Sequence, residues 1–388
     1  MNAEEVRDYC LSLKNTTESF PFDDVSLVFK VENKMYLLIS LDAADINIAV
    51  KCDPDQTEFL RDHYSAVEPA YHFNKKHWNN IYLDRDMPDD EIRKWIDHSY
   101  MEVVRKLPKK VRMQYTPPLF HFSEVDSTNK TIKKISENEE LPSGSIVIAD
   151  FQTAGRGQAG NSWESEAGKN LTFSIFFKPS CIPSNMAFVI SEMISLCVKR
   201  TLDKYIPDVT VKWPNDIYFK DKKIAGILIE NSIQQGKISQ SIAGIGININ
   251  QTEFRSNALN PVSMGLITGQ TYDIASILED FRHIFAEQTE LLYKRGDINS
   301  NDLNSPYNPD IICEAGNPYF ETIHKDYINS AYRKEGFHKY SDDTGLFDAA
   351  IHDIEPTGYL ILKRTDGSLS RYAFKEVSFV MKQCNGIL

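Results

Sequence analysis

Residues 153–163 read TAGRGQAGNSW, with Gly155, Gly157 and Gly160 at the G-x-G-x-x-G spacing of a dinucleotide-binding turn. That turn works only where a strand feeds a helix whose N-terminus receives a pyrophosphate. The strand is there: SGSIVIADF (143–151) is a β-branched run behind a proline turn. The helix is missing. NSWESEAGKN follows the last glycine, and then LTFSIFF, an apolar aromatic run that reads as a second strand. A glycine loop between two strands has no helix dipole to offer a phosphate, so the doubly wound dinucleotide fold is excluded. What remains is backbone able to approach a ligand closely, and one cation, Arg156, suited to bidentate contact with carboxylate or phosphate.

A solvated hairpin tip would look the same, so the loop needs corroboration. KWPNDIYF (212–219) puts Lys212, Asn215 and Asp216 around a Trp-Pro turn at a strand end. DKKIAGILIE (221–230) enters an apolar strand through Lys223 and Gly226. AGIGININ (243–250) is a strand with two glycines and Asn248 among aliphatics. EVDSTNKTIKKI (124–135) is a helix start, with Asp126 or Ser127 as the natural cap. Each stretch alone has a bland explanation as a cap, a turn or an edge glycine. Together they predict a glycine-floored site with cations at Arg156 and Lys223 and polar handles at Asn215, Asp216 and Asn248. Asp216 is the candidate metal ligand. No P-loop, G-x-S-x-G elbow or H-E-x-x-H motif occurs. The chemistry left is the joining of two anions, a carboxylate attacking a nucleotide phosphate, which needs fixed positive charge and usually Mg²⁺. A loop that closes over the product would protect an acyl-adenylate from water.

The chain's 388 residues suffice for two or three domains. Residues 1–112 read as one α/β unit: helices at AEEVRDYCLSLK, DPDQTEFLRDHY and MPDDEIRKWIDHSYMEVVRKL alternate with strand-like VSLVFKV, KMYLLISL, INIAVKC and HWNNIYL. The proline-bearing, basic stretch 108–119 is expected to be a linker. Residues 113–330 form the main α+β domain, with 296–322 expected as an exposed insertion. From 331 to 388, short strands separated by turn signals predict a small β-barrel. Net charge is −12, and within 1–112 there are 16 basic and 21 acidic residues, so a general affinity for nucleic acid or an anionic membrane is not expected. Six scattered cysteines without a C-x-x-C pair, no apolar run of membrane-spanning length and no signal-like start point to a cytoplasmic protein.

The motifs DSTN, QTAGRGQAGNSW, KWPNDI, KKIAGILIE and GIGININ, in this order, resemble the biotin–protein ligases, and the resemblance runs from about 119 to 388. It implies a class II synthetase-like catalytic domain, a mixed sheet with helices, capped by a small SH3-like module at RYAFKEVSF. It further implies an ATP-dependent, AMP-forming enzyme that makes biotinyl-5′-AMP from biotin and MgATP. Such an enzyme then transfers biotin to a lysine of a biotin carboxyl carrier domain. By motif, Ser127, Thr128, Asn129, Gln152, Gly155, Gly157 and Gln158 would surround biotin, with Arg156 and Lys223 at its carboxylate and the α-phosphate. Trp163, Lys212, Asn215, Asp216 and Asn248 would serve ATP and its metal. Many relatives carry arginine where this loop has Gln158, and a basic residue is common at the place of Asn161.

The N-terminal part shows no close helix pair of the helix-turn-helix type. VKCDP, YHFNKKHWNNIYLD and HSYMEVVRKLPKK instead resemble the YjbR/MmcQ-like domain, whose role the resemblance does not supply. Two classes of function therefore stand, a biotin–protein ligase with an accessory domain, and a regulator that keeps the ligase fold as a biotin sensor. Lipoate ligase is a competitor on the same fold.

Overall fold

The computed structural model describes residues 1–158, 162–255, 260–293 and 318–380. Gly160, Asn161 and most of the expected insertion at 296–322 lie outside the described residues. Residues 318–322 belong to a helix rather than to that insertion. The chain divides into two compact units, Met1–Thr116 and the part from Pro117 onward.

In the first unit the elements run α1 (Ala3–Ser12), β1 (Thr16–Ser19), β2 (Ser26–Val31), β3 (Lys34–Ser40), β4 (Asn47–Lys51), α2 (Pro54–His63), β5 (Val67–Pro69), β6 (Trp78–Tyr82), α3 (Asp89–Val104) and α4 (Lys109–Arg112). The strands order β1-β2-β3-β4-β6-β5, every pair antiparallel, so the alternation of helices and strands does not build a parallel sheet. Helix α3 begins on three acids, Asp89, Asp90 and Glu91, which suit the positive end of its dipole. It buries Ile92, Ile96, Tyr100 and Val103 at helical spacing and lies across β2–β4. The stretch expected as a linker is folded through Thr116. Val111 and Tyr115 pack on this unit's core, and Tyr115 Oη takes a hydrogen bond from Asn15 Nδ2 at 2.9 Å. Its proline and lysine content suggested an exposed tether; the two apolar side chains among them decide otherwise.

The second unit comprises β7 (Leu119–Val125), α5 (Thr128–Asn138), β8 (Ser145–Gln152), β9 (Leu171–Phe177), α6 (Phe188–Asp203), β10 (Val209–Lys212), β11 (Asp216–Phe219), β12 (Lys222–Gln234), β13 (Lys237–Ile247), α7 (Met264–Thr268), α8 (Ile274–Tyr293), α9 (Pro318–Asn329) and β14 to β18 (His338–Asp342, Gly345–Ile354, Leu360–Arg364, Leu369–Tyr372, Ser378–Phe379). A seven-stranded sheet orders β10-β11-β12-β13-β9-β8-β7, with β7–β8 its one parallel pair. The five C-terminal strands form a separate antiparallel sheet, β17-β16-β15-β14-β18. This sheet shares one apolar core with the larger one: Tyr340, Ala349, Leu360 and Leu362 belong to the same cluster as Phe173, Ile194 and Phe281.

Strand β9 explains how the large sheet carries a core on one face and a site on the other. All seven of its residues are buried. Period-two alternation sends Leu171, Phe173, Ile175 and Phe177 into the main core, and turns Thr172 and Ser174 to the opposite face.

Helix α9 meets the C-terminal sheet through an ionic latch. His324 Nδ1 lies 2.8 Å from Glu192 Oε1 of α6, and its Nε2 lies 2.9 Å from Asp353 Oδ1 of β15. Burial pushes the Glu192 carboxyl up, while the imidazolium opposes that shift. Held by Glu192 first and Asp353 second, His324 is raised from 6.5 to about 9. Because the folded value lies above the unfolded one, the latch stabilises fully below pH 6.5 and fades as pH rises through about 9. The melting temperature of the wild type should therefore fall toward that of His324→Gln across this window. Melting curves of the two proteins that stay parallel from pH 6.5 to 9.5 would remove the latch from the account.

Candidate active site

The floor of the site is set by strand register. Asp216, Gly226, Gly246 and Thr172 stand side by side across β11, β12, β13 and β9. The next row is Leu228, Gly244 and Ser174. Glycine in these rows leaves space that neighbours occupy. A methyl group on Gly246 would meet Trp163 Cε2 at 2.3 Å, and one on Gly244 would meet Asn129 Oδ1 at 2.2 Å. The Trp163 indole thus lies directly on backbone, beside Lys223, whose Nζ is 5.8 Å from the ring centroid.

One wall is the start of α5. Ser127 occupies the N-cap position, yet its side chain makes no capping bond. Gln152 caps instead: its Oε1 accepts from Thr128 N at 2.8 Å and from Thr128 Oγ1 at 3.1 Å. Ser174 Oγ bonds Thr128 Oγ1 (2.7 Å) and Asn129 Oδ1 (2.6 Å), and Asn129 Nδ2 donates to Glu230 Oε2 at 2.8 Å. Thr128 and Asn129 are almost fully buried and firmly held. The glycine loop closes above. Trp163 N donates to Gly155 O at 3.0 Å, and Arg156 pairs with Ser162. Gly155 lets these two arms approach, since a methyl there would sit 2.8 Å from Trp163 O.

The opposite wall carries the cations. Lys223 Nζ is 2.6 Å from Asp216 Oδ1, both about a quarter exposed. Lys212 Nζ donates to Tyr218 Oη at 3.1 Å and lies 5.4 Å from the Phe379 ring centroid; burial lowers its pKa. Arg156 is half-exposed and 3.3 Å from Glu230 Oε1. Positive charge is thus held in place by carboxylates that an incoming anion could replace.

These surfaces enclose a cavity of about 370 Å³. Of the fourteen residues singled out in the sequence, twelve line it: Ser127, Thr128, Asn129, Gln152, Arg156, Gly157, Gln158, Trp163, Lys212, Asn215, Asp216 and Lys223. Gly155 is not among the lining residues, although it lets the two arms of the loop meet. Asn248 does not reach the cavity either. Its Nδ2 donates to Val262 O at 3.1 Å, and its N–H donates to Ile224 O. It thereby fixes the segment whose Asn260 and Val262 pin the backbone of Lys223 on both sides. Sequence reasoning missed Thr172 and Tyr218, and also the C-terminal turn, where Phe374, Val377 and Phe379 line the cavity. The RYAFKEVSF motif is visible in the sequence, but no spacing rule ties it to a loop more than 200 residues away.

Residues 11–102 match the YjbR family model, and residues 122–248 match that of the biotin/lipoate A/B protein ligase family. The bifunctional ligase/repressor BirA of Escherichia coli K12 is 38% identical over 137 residues, 35% of this chain and 42% of that protein. The chain thus spans less than half the length of that relative. The uncharacterized protein YjbR of the same organism is 31% identical over 112 residues, 29% of this chain and 95% of that protein. A biotin protein ligase from Aquifex aeolicus, solved in complex with biotin and ATP, shares the fold at a TM-score of 0.51 and 23% identity, over 67% of this chain and 97% of that one. The chain belongs to the YjbR family through its first unit, and its second unit matches the biotin/lipoate A/B protein ligase family model over residues 122–248.

Proposed function

We propose that the protein is a biotin–protein ligase, which activates biotin with MgATP to biotinyl-5′-AMP and transfers biotin to a lysine of a biotin carboxyl carrier domain. The observation that carries this reading is the juxtaposition of Lys223, Arg156 and Lys212 around a glycine floor in one cavity. The uncharged wall of Ser127, Thr128, Asn129 and Gln152 suits the polar, neutral ureido end of biotin. Lys223 and Arg156 suit the carboxylate and α-phosphate that must meet. In the resting site Lys223 is held by Asp216 and Arg156 by Glu230, so the arriving anions exchange one counter-ion for another. Fixed ammonium and guanidinium groups then offset the repulsion between two anions and stabilise the charge that develops in line. Trp163 offers a flat face for the adenine side, and Lys212 with Asn215 the nucleotide end.

Mg²⁺ enters this reading on the triphosphate, where it would neutralise phosphate charge. Asp216 is the one carboxylate among the lining residues, and no cluster of three His, Cys, Asp or Glu exists among the described residues. That donor set fits a metal held chiefly by its nucleotide, with Asp216 as a single protein ligand. As part of the same proposal the protein works in the cytoplasm, beside the carboxylase that it modifies.

Biotin-dependent exchange of labelled pyrophosphate into ATP tests the first half-reaction. The exchange should require biotin and fail with lipoate; exchange driven by lipoate instead would transfer the protein to the competing activity.

Residues 1–116 are proposed as an accessory domain, because every residue lining the cavity comes from the second unit. The cut belongs after Thr116, since Tyr115 packs on the first unit. A chain beginning at Pro117 is expected to adenylate biotin at the full-length rate. If it folds, as judged by circular dichroism, but no longer makes biotinyl-AMP, the first unit completes the active site.

A further inference from the structure

The first unit has a small cavity of its own, about 220 Å³, at the end of β4. Lys51, Trp78, Asn74, His77, Glu102 and Lys106 line it. Its charges are unevenly matched. Glu102, the one acid in the lining, is already shared between Arg105 (3.0 Å) and Lys106 (3.4 Å). Lys51 is half-buried, and among the described residues its Nζ has no hydrogen-bond acceptor and no ion-pair partner. Its ammonium instead lies over the Trp78 ring, 5.3 Å from the centroid. Burial and the nearby Lys106 ammonium both depress its pKa, while Glu102 opposes them. A lysine so placed gives up part of its solvation without gaining an acceptor among the described residues, a cost that a ligand oxygen would offset.

The surroundings are ordered. Lys51 N donates to Ser99 Oγ at 2.7 Å, and Cys52 N donates to His77 O at 2.9 Å. Phe73 stacks on Trp78 at 4.6 Å, so the loop over 70–77 is seated on the sheet. Asn74 Oδ1 accepts from Lys76 N, which leaves the Asn74 amide NH₂ to donate. Donors and cations therefore outnumber acceptors at this spot, within a unit whose net charge is −5. An acidic background repels polyanions such as nucleic acid, while a pocket this size admits a single charged group.

We propose that this cavity is a binding site for a small oxyanion, a carboxylate or phosphate group, which becomes the acceptor for Lys51 and Lys106. The site is independent of the ligase chemistry, and it gives the first unit a ligand-binding function of its own.

The test is a titration of the full-length protein with inorganic phosphate, and separately with acetate, at ionic strength held constant with chloride. Backbone amide resonances of residues 51, 52 and 77 and the Trp78 indole resonance are followed by NMR. Saturable shifts are expected at these positions, also in Lys223→Met, where the cavity of the second unit has lost a cation. Lys51→Met should weaken binding by roughly ten- to a hundredfold, the effect of a lost charge-assisted hydrogen bond. Lys106→Gln, at an exposed position where folding is not at risk, should weaken it about two- to threefold. Tighter binding of phosphate or of acetate identifies which oxyanion the site takes. Shifts that never saturate, or that persist unchanged in both lysine variants, would overturn the proposal.

Discussion

Lys223→Met is expected to lower biotin-dependent pyrophosphate–ATP exchange about a hundredfold, since one fixed donor at a developing charge is worth roughly 3 kcal/mol of barrier. Two effects add in the same direction. The variant removes the ammonium, and it leaves Asp216, 2.6 Å away in the wild type, as an uncompensated anion where phosphate must come. The fold should survive, because Lys223 is partly exposed and its backbone is held independently by Asn260 and Val262. A variant that retains exchange within a few-fold of wild type would show that the cation at 223 plays no part in the chemical step.

Gly246→Ala is expected to raise the Kd for ATP by on the order of tenfold or more, with biotin affinity affected less. The added methyl would stand 2.3 Å from Trp163 Cε2 and 2.5 Å from Nε1. No relaxed geometry tolerates that, so the indole must leave the floor; overpacking of this kind costs about 1–3 kcal/mol. The displaced ring then occupies the space assigned to adenine. Isothermal titration with ATP, alongside circular dichroism to confirm folding, measures the effect. Unchanged ATP affinity in a folded variant would mean that Trp163 does not define the nucleotide face.

Much of this site was legible in the sequence because its residues sit in short runs where local pattern dictates geometry. The glycines of β12 and β13 were seen as a floor, since a glycine in an apolar strand marks close approach. A dinucleotide turn is ruled out by the strand LTFSIFF, which pairs antiparallel with β8. What stayed hidden was non-local. Thr172 and Ser174 sit in a wholly buried strand, so composition alone could not tell which face held a site. Its motif marks Gln152 as a ligand contact, but its side chain also caps the helix for which the sequence offers Asp126 or Ser127. Its motif marks Asn248 as a ligand contact too, yet it works one step removed, ordering the segment that holds Lys223. The wall at 374–379 depends on a core shared by the two sheets, and no local spacing encodes that packing. The 108–119 stretch does hold the boundary between the units, but two apolar side chains, which its linker-like composition hides, seat most of it on the first unit.

The central claim is that Lys223 and Arg156 bring two anions together so that biotin reaches a protein lysine. The most direct measurement is mass spectrometry of a biotin carboxyl carrier domain after incubation with the full-length protein, biotin and MgATP. The account predicts a gain of one biotinyl group per carrier, dependent on ATP, absent when the carrier's acceptor lysine is replaced, and lost with Lys223→Met. A carrier that keeps its mass beside a folded, biotin-binding protein would contradict it.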